Sequence, residues 1–411
     1  MDRRYSRRDF LAGVLATGTL SAAAMYFAPG GRPIPSVTLK LVTGVDPTGA
    51  RDLLIEIWNR ANPRKTLERE EVTGSTADQR AAMISRVTSG NADILNLDII
   101  DIPYFQSKGY ITPIELENVD EFLPKTLMAS KLGDSESMEF WAAPFNTDVG
   151  MLFERSSDDP VSLDNQSPPT ISDVIDRVPD GSFQFAGQLQ PASSSTEEAF
   201  AVNVLEHALS RDERILRGEN GMPAKELEVW QNALVPLRAA ITNKRITLCD
   251  SEDETREKFR TQKLSYMRNW PRQYRELQQS DDPDVKASRI RVHPLPVGIL
   301  GGQSLALVEK STQGSHASEF IRFATGVSAQ KILASYGLAA THNGAYTDPN
   351  LRAFIPHLEK IKGAVEDASM RPIHRNYNVF SEDLVFHMQR LLRQGVELPT
   401  QFVDDLQKAL S

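Results

Sequence analysis

The order of apolar segments between residues 37 and 100 limits the folds open to this chain more than any other feature. Residues 37–42 predict a β-strand, and residues 51–60 and 78–89 carry apolar side chains at helical spacing. Residues 93–100 are apolar enough to predict a buried strand. Strands that alternate with helices in this way predict an α/β layer with a parallel sheet.

The remainder of the chain contains the same kinds of segment. At 411 residues it is long enough for two domains with separate cores. Further strands are predicted at residues 144–155 (interrupted at 145–148), 264–267, 290–297 and 304–308, and further helices at residues 198–210, 225–241, 316–324, 328–336, 382–392 and 400–410.

Charge and motif content exclude several classes of function. The net charge is -9, and no long run of Lys and Arg follows residue 8, which argues against nucleic acid as a partner. The single cysteine, Cys249, excludes an intrachain disulfide and a Cys-based metal cluster. The sequence also lacks metal-ligand histidine spacing, Walker-type glycines and the G-x-S-x-G nucleophile turn. We therefore expect no cofactor, no metal and no catalytic residue.

The N-terminus predicts export. Arg7 and Arg8 follow Ser6 and precede Phe-Leu, which is the twin-arginine pattern, and residues 10–31 are uncharged. We expect residues 1–35 to be a signal and linker, the twin-arginine translocase to be the export partner, and the mature protein to be periplasmic or extracellular. The uncharged run is also long enough to serve as a retained membrane anchor.

A polar cluster at the end of a predicted strand suggests a sugar site. Residues 264–267 are followed by Arg268, Asn269 and Trp270. An indole offers an apolar face for the C–H groups of a sugar, and a carboxamide both donates and accepts hydrogen bonds. The alternative is a core tryptophan beside a turn.

This cluster and further motifs along the chain resemble those of the bacterial sugar-binding proteins of ABC importers. That group includes trehalose-, maltose- and oligosaccharide-binding members. The resemblance covers nearly the whole chain after the N-terminus. The motifs that carry it are DILNLD (93–98) with Phe105 and GYI (109–111); APFNTDVG (143–150); FRTQK (259–263) and MRNWP (267–271); GGQSLA (301–306); EFIRF (319–323) with SAQK (328–331); and Arg371 and Pro372 with Tyr377.

The resemblance implies a two-lobed Venus-flytrap fold that closes on a ligand by hinge motion. The first α/β lobe would hold residues 36–145 and 294–325, and the second residues 146–293 and 326–411. The implied function is capture of a di- or oligosaccharide and its delivery to the transmembrane subunits of an ABC permease. We expect a monomer without enzymatic activity.

Ligand contacts are expected beyond the carboxyl ends of the strands. The candidates are Gln79, Asp98, Asn146, Asp148, Asn269, Trp270, Gly301, Gly302, Gln303, Arg371 and Tyr377. The carboxylate of Asp98 would accept hydroxyl hydrogens, Trp270 would stack on the sugar, and the two glycines would allow a close approach of their backbone.

Three departures from the family pattern reduce the expected stacking. Asp101 and Gln303 occupy positions where relatives often have aromatic residues, and residues 193–198 lack an aromatic–acid–glycine segment. A polyamine or amino sugar in the same fold is therefore an alternative ligand. An exported carbohydrate-active enzyme using Asp98 and Asp148, and a receptor-coupled sensor, are further alternatives.

Overall fold

The computed structural model describes residues 36–74, 76–133, 138–156, 171–190, 197–218, 220–286 and 289–411. Its strands are β1 (Val37–Gly44), β2 (Lys65–Val72), β3 (Ile94–Asp98), β4 (Ile111–Thr112), β5 (Lys131–Leu132), β6 (Glu139–Phe140), β7 (Ala143–Val149), β8 (Met151–Arg155), β9 (Phe185–Gly187), β10 (Leu216–Arg217), β11 (Met222–Pro223), β12 (Ile246–Leu248), β13 (Tyr266–Asn269), β14 (Ile290–Pro294) and β15 (Leu300–Val308).

Its α-helices are α1 (Ala50–Ala61), α2 (Thr76–Thr88), α3 (Ile102–Ser107), α4 (Pro124–Ser130), α5 (Ile171–Arg177), α6 (Glu197–Leu209), α7 (Leu227–Thr242), α8 (Glu252–Thr261), α9 (Arg272–Gln279), α10 (Gly314–Thr325), α11 (Val327–Ser335), α12 (Asn343–Tyr346), α13 (Pro349–Phe354), α14 (Leu358–Asp367), α15 (Tyr377–Gln394) and α16 (Phe402–Ala409). Among the described residues, no helix is both long and apolar enough to span a bilayer.

The first lobe contains a sheet in the order β2-β1-β3-β15-β4, and β7 pairs with the beginning of β15. β1 is parallel to β2 and β3, whereas β15 is antiparallel to β3 and β7. The carboxyl ends of β1, β3 and β7 therefore meet at one edge, where β15 begins. This arrangement confirms the predicted α/β layer.

The second lobe contains a sheet in the order β12-β9-β13-β8-β14. The three strands β12, β9 and β13 run parallel, and β8 is antiparallel to its neighbours β13 and β14. Helices α6, α7, α15 and α16 contact one another beside this sheet.

The chain crosses between the lobes at Gly150 and again between β14 and β15. The predicted interruption of the strand at residues 145–148 is wrong, because these residues are paired with β15 and the break falls at Gly150. A Cβ atom on Gly150 would lie 2.1 Å from Oε1 of Glu206, so only glycine fits at this crossing. β7 therefore belongs to the first sheet and β8 to the second.

Helix α11 packs on the first lobe. Its residues Ile332 and Leu333 share a buried cluster with Leu39 of β1, Phe145 of β7 and Phe320 of α10. The sequence-based prediction places residues 326–411, and therefore this helix, in the second lobe instead. Helix α14 contacts both β14 and β7, so the chain returns to the second lobe at or after this helix.

Candidate functional site

Five of the candidate residues lie together at the edge of the first sheet. Asp98 at the end of β3 is opposite Gln303 of β15, and Gln303 is opposite Asn146 of β7. Two residues along the same strands, and therefore on the same face, Gly301 is opposite Asp148. Because residues paired across antiparallel strands share a face, these side chains form one polar row.

Gly302 lets two strands of this row approach closely. Its φ angle is +124°, and a Cβ atom there would lie 2.4 Å from the carbonyl oxygen of Asn146. A side chain at this position would therefore clash with β7 in a backbone conformation that favours glycine.

The Gln303 side chain bonds to the first lobe itself. Its Oε1 accepts hydrogen bonds from the Arg51 guanidinium and from Nδ2 of Asn96, the latter at 3.0 Å. Arg51 is buried, and its Nη1 also donates to Oγ1 of Thr43 at 2.6 Å. This network holds one end of the polar row rigid. Gln79 lies beside it, and its Oε1 would be 2.5 Å from a Cβ atom on Gly44, the last residue of β1.

Trp270 reaches this row from the second lobe. A Cβ atom on Gly301 would lie 3.6 Å from Cη2 of Trp270 and 3.5 Å from Cβ of Asp148. Nε1 of the indole donates a 3.0 Å hydrogen bond to Oε1 of Glu252, and the Arg268 guanidinium lies 3.9 Å from the ring centroid. The indole is half-buried, with its orientation fixed by these two contacts.

Arg268 belongs to a buried ion pair below the indole. Its Nε and Nη2 donate to Glu206 at 2.6 and 2.8 Å, and both side chains are almost completely buried. Oε1 of Glu206 also accepts the backbone N–H of Ile299 at 3.1 Å, in the crossing between β14 and β15. Glu206 also packs against Gly150. It therefore connects Arg268, which lies under the indole, to the β7–β8 and β14–β15 crossings.

The Asn269 side chain is directed at protein atoms. It is fully buried, its Nδ2 donates to the carbonyl oxygen of Glu252 at 2.9 Å, and its Oδ1 accepts the N–H of Trp270 at 3.0 Å. These bonds hold the strand end that carries the indole. A direct ligand contact by Asn269 stays a prediction.

Arg371 joins the two lobes through carboxylates. Its guanidinium contacts Glu198 of α6 at 2.5 Å, lies 3.6 Å from Oδ1 of Asp98, and donates to the carbonyl oxygen of Leu300 at 3.3 Å. The Tyr377 hydroxyl donates to the same Oε1 of Glu198 at 2.6 Å. Both Arg371 and Tyr377 are buried, and of the two it is Arg371 that contacts Asp98.

Two amide and carboxylate oxygens of the row have no hydrogen-bond donor within the described part of the chain. They are Oδ1 of Asn146, whose residue is only 5% exposed, and Oδ1 of Asp148. Burial raises the pKa of Asp148 to about 7, against the opposing guanidiniums of Arg272 and Arg268. A buried acceptor without a donor is unfavourable, so these atoms suit a ligand that donates hydrogen bonds.

Burial also acts on two more carboxyls, Asp98 of the row and Asp101 near it. Burial raises the pKa of Asp98, with Arg371 opposing the shift. Burial also raises the pKa of Asp101 to about 7, although Arg80 pairs with it at 3.1 Å. Asp101 lies at the start of α3 and is engaged by this pair rather than by the polar row.

Glu198 and Glu206 were missed by the sequence analysis. Both lie on α6, whose apolar residues predict a helix but not which acid faces the cleft. Their burial beside arginines from residues far along the chain is visible only in the fold. Arg7, Arg8 and residues 193–196 lie outside the described residues.

Metal binding has no support in the described ranges, where His, Cys, Asp and Glu side chains form no group of three or more able to hold an ion. The contacts described above make the candidate site a set of hydrogen-bonding groups beside the Trp270 indole.

Two α/β lobes joined by chain crossings, with polar groups on the facing sheet edges, define the two-lobed solute-binding protein fold. No protein-family model matches the chain. The chain is 30% identical over 131 residues to a probable ABC transporter-binding protein of Deinococcus radiodurans, a match that covers 29% of this chain and only 30% of that protein.

Solved structures match over much more of the chain. Maltose-bound T. maritima MalE3 has a TM-score of 0.77 at 20% identity, covering 91% of this chain and 99% of that one. An ABC transporter solute-binding protein from Thermotoga lettingae, bound with α-D-tagatose, has a TM-score of 0.73 at 15% identity, covering 91% and 98%. These matches confirm the predicted Venus-flytrap fold.

Proposed function

We propose that this protein is the solute-binding component of an ABC importer and that its ligand is a carbohydrate. The observation that carries the proposal is the position of the Trp270 indole beside the Asp98–Gln303–Asn146 row, with acceptor oxygens unpaired. An apolar face next to hydrogen-bond acceptors matches the two surfaces of a sugar.

In the proposed mechanism, a sugar stacks on Trp270 and donates hydroxyl hydrogens to the first lobe. Asp98 is accessible for this, since its side chain is 32% exposed, and Arg371 holds it in place at 3.6 Å. Asp148 and Asn146 accept further hydrogens. Closure of the lobes about Gly150 and the β14–β15 crossing would complete the site, and the closed form would be recognised by permease subunits.

Export of the protein and ligand capture without turnover are inferred from the sequence and from the fold. Arg7 and Arg8 support export through the twin-arginine translocase to the periplasm or cell surface. One similar structure is maltose-bound and the other is a solute-binding protein bound with tagatose, which supports capture of a ligand without turnover. We also expect a monomer. Hydrolysis of a glycoside by the purified protein would instead favour the enzyme alternative with Asp98 and Asp148.

A sugar screen tests the proposal. A ligand that binds only the folded state raises the melting temperature, so a thermal-shift screen over mono- and oligosaccharides selects the sugars for calorimetry. We expect Trp270→Ala to weaken binding by about tenfold or more, because stacking and apolar burial are both lost. Asp98→Ala should weaken it by a similar factor.

Trp141→Ala is the matched control. Trp141 is partly exposed but precedes the start of β7, at the end of that strand away from the row. Affinity should be unchanged in this variant. Undiminished binding by both Trp270→Ala and Asp98→Ala would remove the site from this cleft.

A further inference from the structure

The cleft has an excess of carboxylates that its own arginines do not neutralise. Three guanidiniums near Asp148 and Asp98 already face an acid: Arg268 pairs with Glu206, Arg371 with Glu198, and Arg272 lies 3.9 Å from Asp253. These cations are therefore unsuited to bind an anionic ligand.

Of the two row carboxylates, Asp98 faces Arg371 at 3.6 Å, whereas Asp148 has no ion-pair partner among the described residues. Its Oδ1 is buried and receives no hydrogen bond from the described residues, and the neighbouring Oδ1 of Asn146 is in the same state. Asn146 is 5% exposed and lies two residues before Asp148 on the same face of β7. Both oxygens accept hydrogen bonds, so the ligand has to bring donors to this corner of the cleft.

The Trp270 indole borders the same corner. Its Cη2 and the Cβ of Asp148 would both contact a Cβ atom on Gly301, at 3.6 and 3.5 Å. An ionised carboxylate attracts a cation, and the indole beside it offers an apolar surface for the C–H groups of the same ligand.

We propose that the ligand is an amino sugar, with its ammonium group bound by Asp148 and Asn146 beside Trp270. This inference rests on the proposed function and names the class of carbohydrate. The ammonium donates to Oδ1 of both side chains, while the hydroxyls of the ring occupy the Asp98 end of the row.

The electrostatic surroundings of Asp148 make such binding dependent on pH. Burial raises the pKa of Asp148 to about 7. The charged and titratable groups that act on it are Arg272 of α9, Arg268 of β13, Glu252 of α8, Asp98 of β3 and Tyr346 of α12. Since the ammonium binds the ionised carboxylate, affinity should fall about tenfold per pH unit below 7.

Matched pairs of sugars test the inference. Calorimetry at pH 7 compares glucosamine with glucose, galactosamine with galactose, and β-1,4-linked diglucosamine with cellobiose. We expect the amine to bind at least about tenfold more tightly in at least one pair, and this preference to disappear in Asp148→Asn. Glu257→Gln, which removes a half-exposed acid on α8, should leave it unchanged.

The outcomes separate the two proposals. Neutral sugars that bind as tightly as their amines overturn this inference and leave the carbohydrate-binding function standing. No binding by any amine of the pairs overturns this inference, whereas binding of spermidine but of no sugar in the wider thermal-shift screen, or no binding at all in that screen, overturns both. A preference that survives in a folded Asp148→Asn protein, or an amine affinity independent of pH between 5 and 7, also contradicts the role of Asp148.

Discussion

At the scale of single residues, Glu206 contacts both the β7–β8 and the β14–β15 crossings between the lobes. It pairs with Arg268, accepts the N–H of Ile299, and packs against Gly150. Removing one member of a buried ion pair leaves the other charge uncompensated, which costs far more than the net worth of the pair.

We therefore expect Glu206→Gln to lower the free energy of unfolding by about 3–5 kcal/mol, measured by urea denaturation. The matched control is Glu226→Gln, which breaks the exposed pair with Arg217 and should cost about 1 kcal/mol or less. Equal losses in the two variants would show that Glu206 does not stabilise the crossings.

At the scale of elements, the crossing from β7 through Gly150 to β8 leaves no room for a side chain at Gly150 unless Glu206 moves. Gly150→Ala would place a Cβ atom 2.1 Å from Oε1 of Glu206, and we expect it to lower the unfolding free energy by about 1–3 kcal/mol. Gly363→Ala in helix α14 is the control, since a Cβ there meets no atom within 4 Å. That change should stabilise the protein by about 0.5–1 kcal/mol, and a loss in both variants would count against the crowding of Gly150.

The sequence predicts most elements but not their partners. Strand β2, with the sequence KTLEREEV, escapes prediction because it pairs only with β1 at the edge of the sheet and exposes charged side chains. The polar residues of β7 suggest a loop, yet they are paired with β15 across a bulge. Periodicity describes one segment, whereas these features depend on strands that come from residues far away.

In the candidate site, too, the sequence predicts the position of some residues but not their side-chain partners. Asp98 and Asp148 are predictable because polar residues at strand ends meet at one edge of a parallel sheet. The engagement of Asn269 by Glu252, and of Gln303 by Arg51, depends on side-chain packing that no local pattern contains.

At the scale of the whole molecule, two buried histidines link stability to pH. Burial lowers the pKa of His207 and of His357 to about 3, with Arg268 and Lys360 acting in the same direction. The unfolded chain protonates these side chains near pH 6.5, but the folded protein does not. The free energy of unfolding that depends on these neutral histidines is fully present above about pH 6.5. It is lost as the pH falls toward 3, by up to about 1.4 kcal/mol per pH unit for each histidine.

His357→Phe isolates one of these contributions. The replacement keeps a ring against Tyr274, whose centroid lies 4.3 Å from that of His357. Between pH 6.5 and 5, the unfolding free energy of the variant should fall by about 2 kcal/mol less than that of the wild type in urea titrations. Tyr274→Phe alters the same contact without removing a group that titrates between pH 5 and 6.5, since burial raises the pKa of Tyr274 above its usual value near 10, and it should keep the wild-type slope. Identical slopes for His357→Phe and wild type would contradict the effect.

The placement of Trp270 also gives the protein an optical reporter. Of the four tryptophans in the chain, Trp58 and Trp230 are buried within the lobes, and Trp141 lies away from the row. Trp270 is the half-buried indole at the cleft, stacked on a guanidinium and bonded to Glu252. Fluorescence emission depends on such surroundings, so the arrival of a molecule on this ring changes the intrinsic signal without any label.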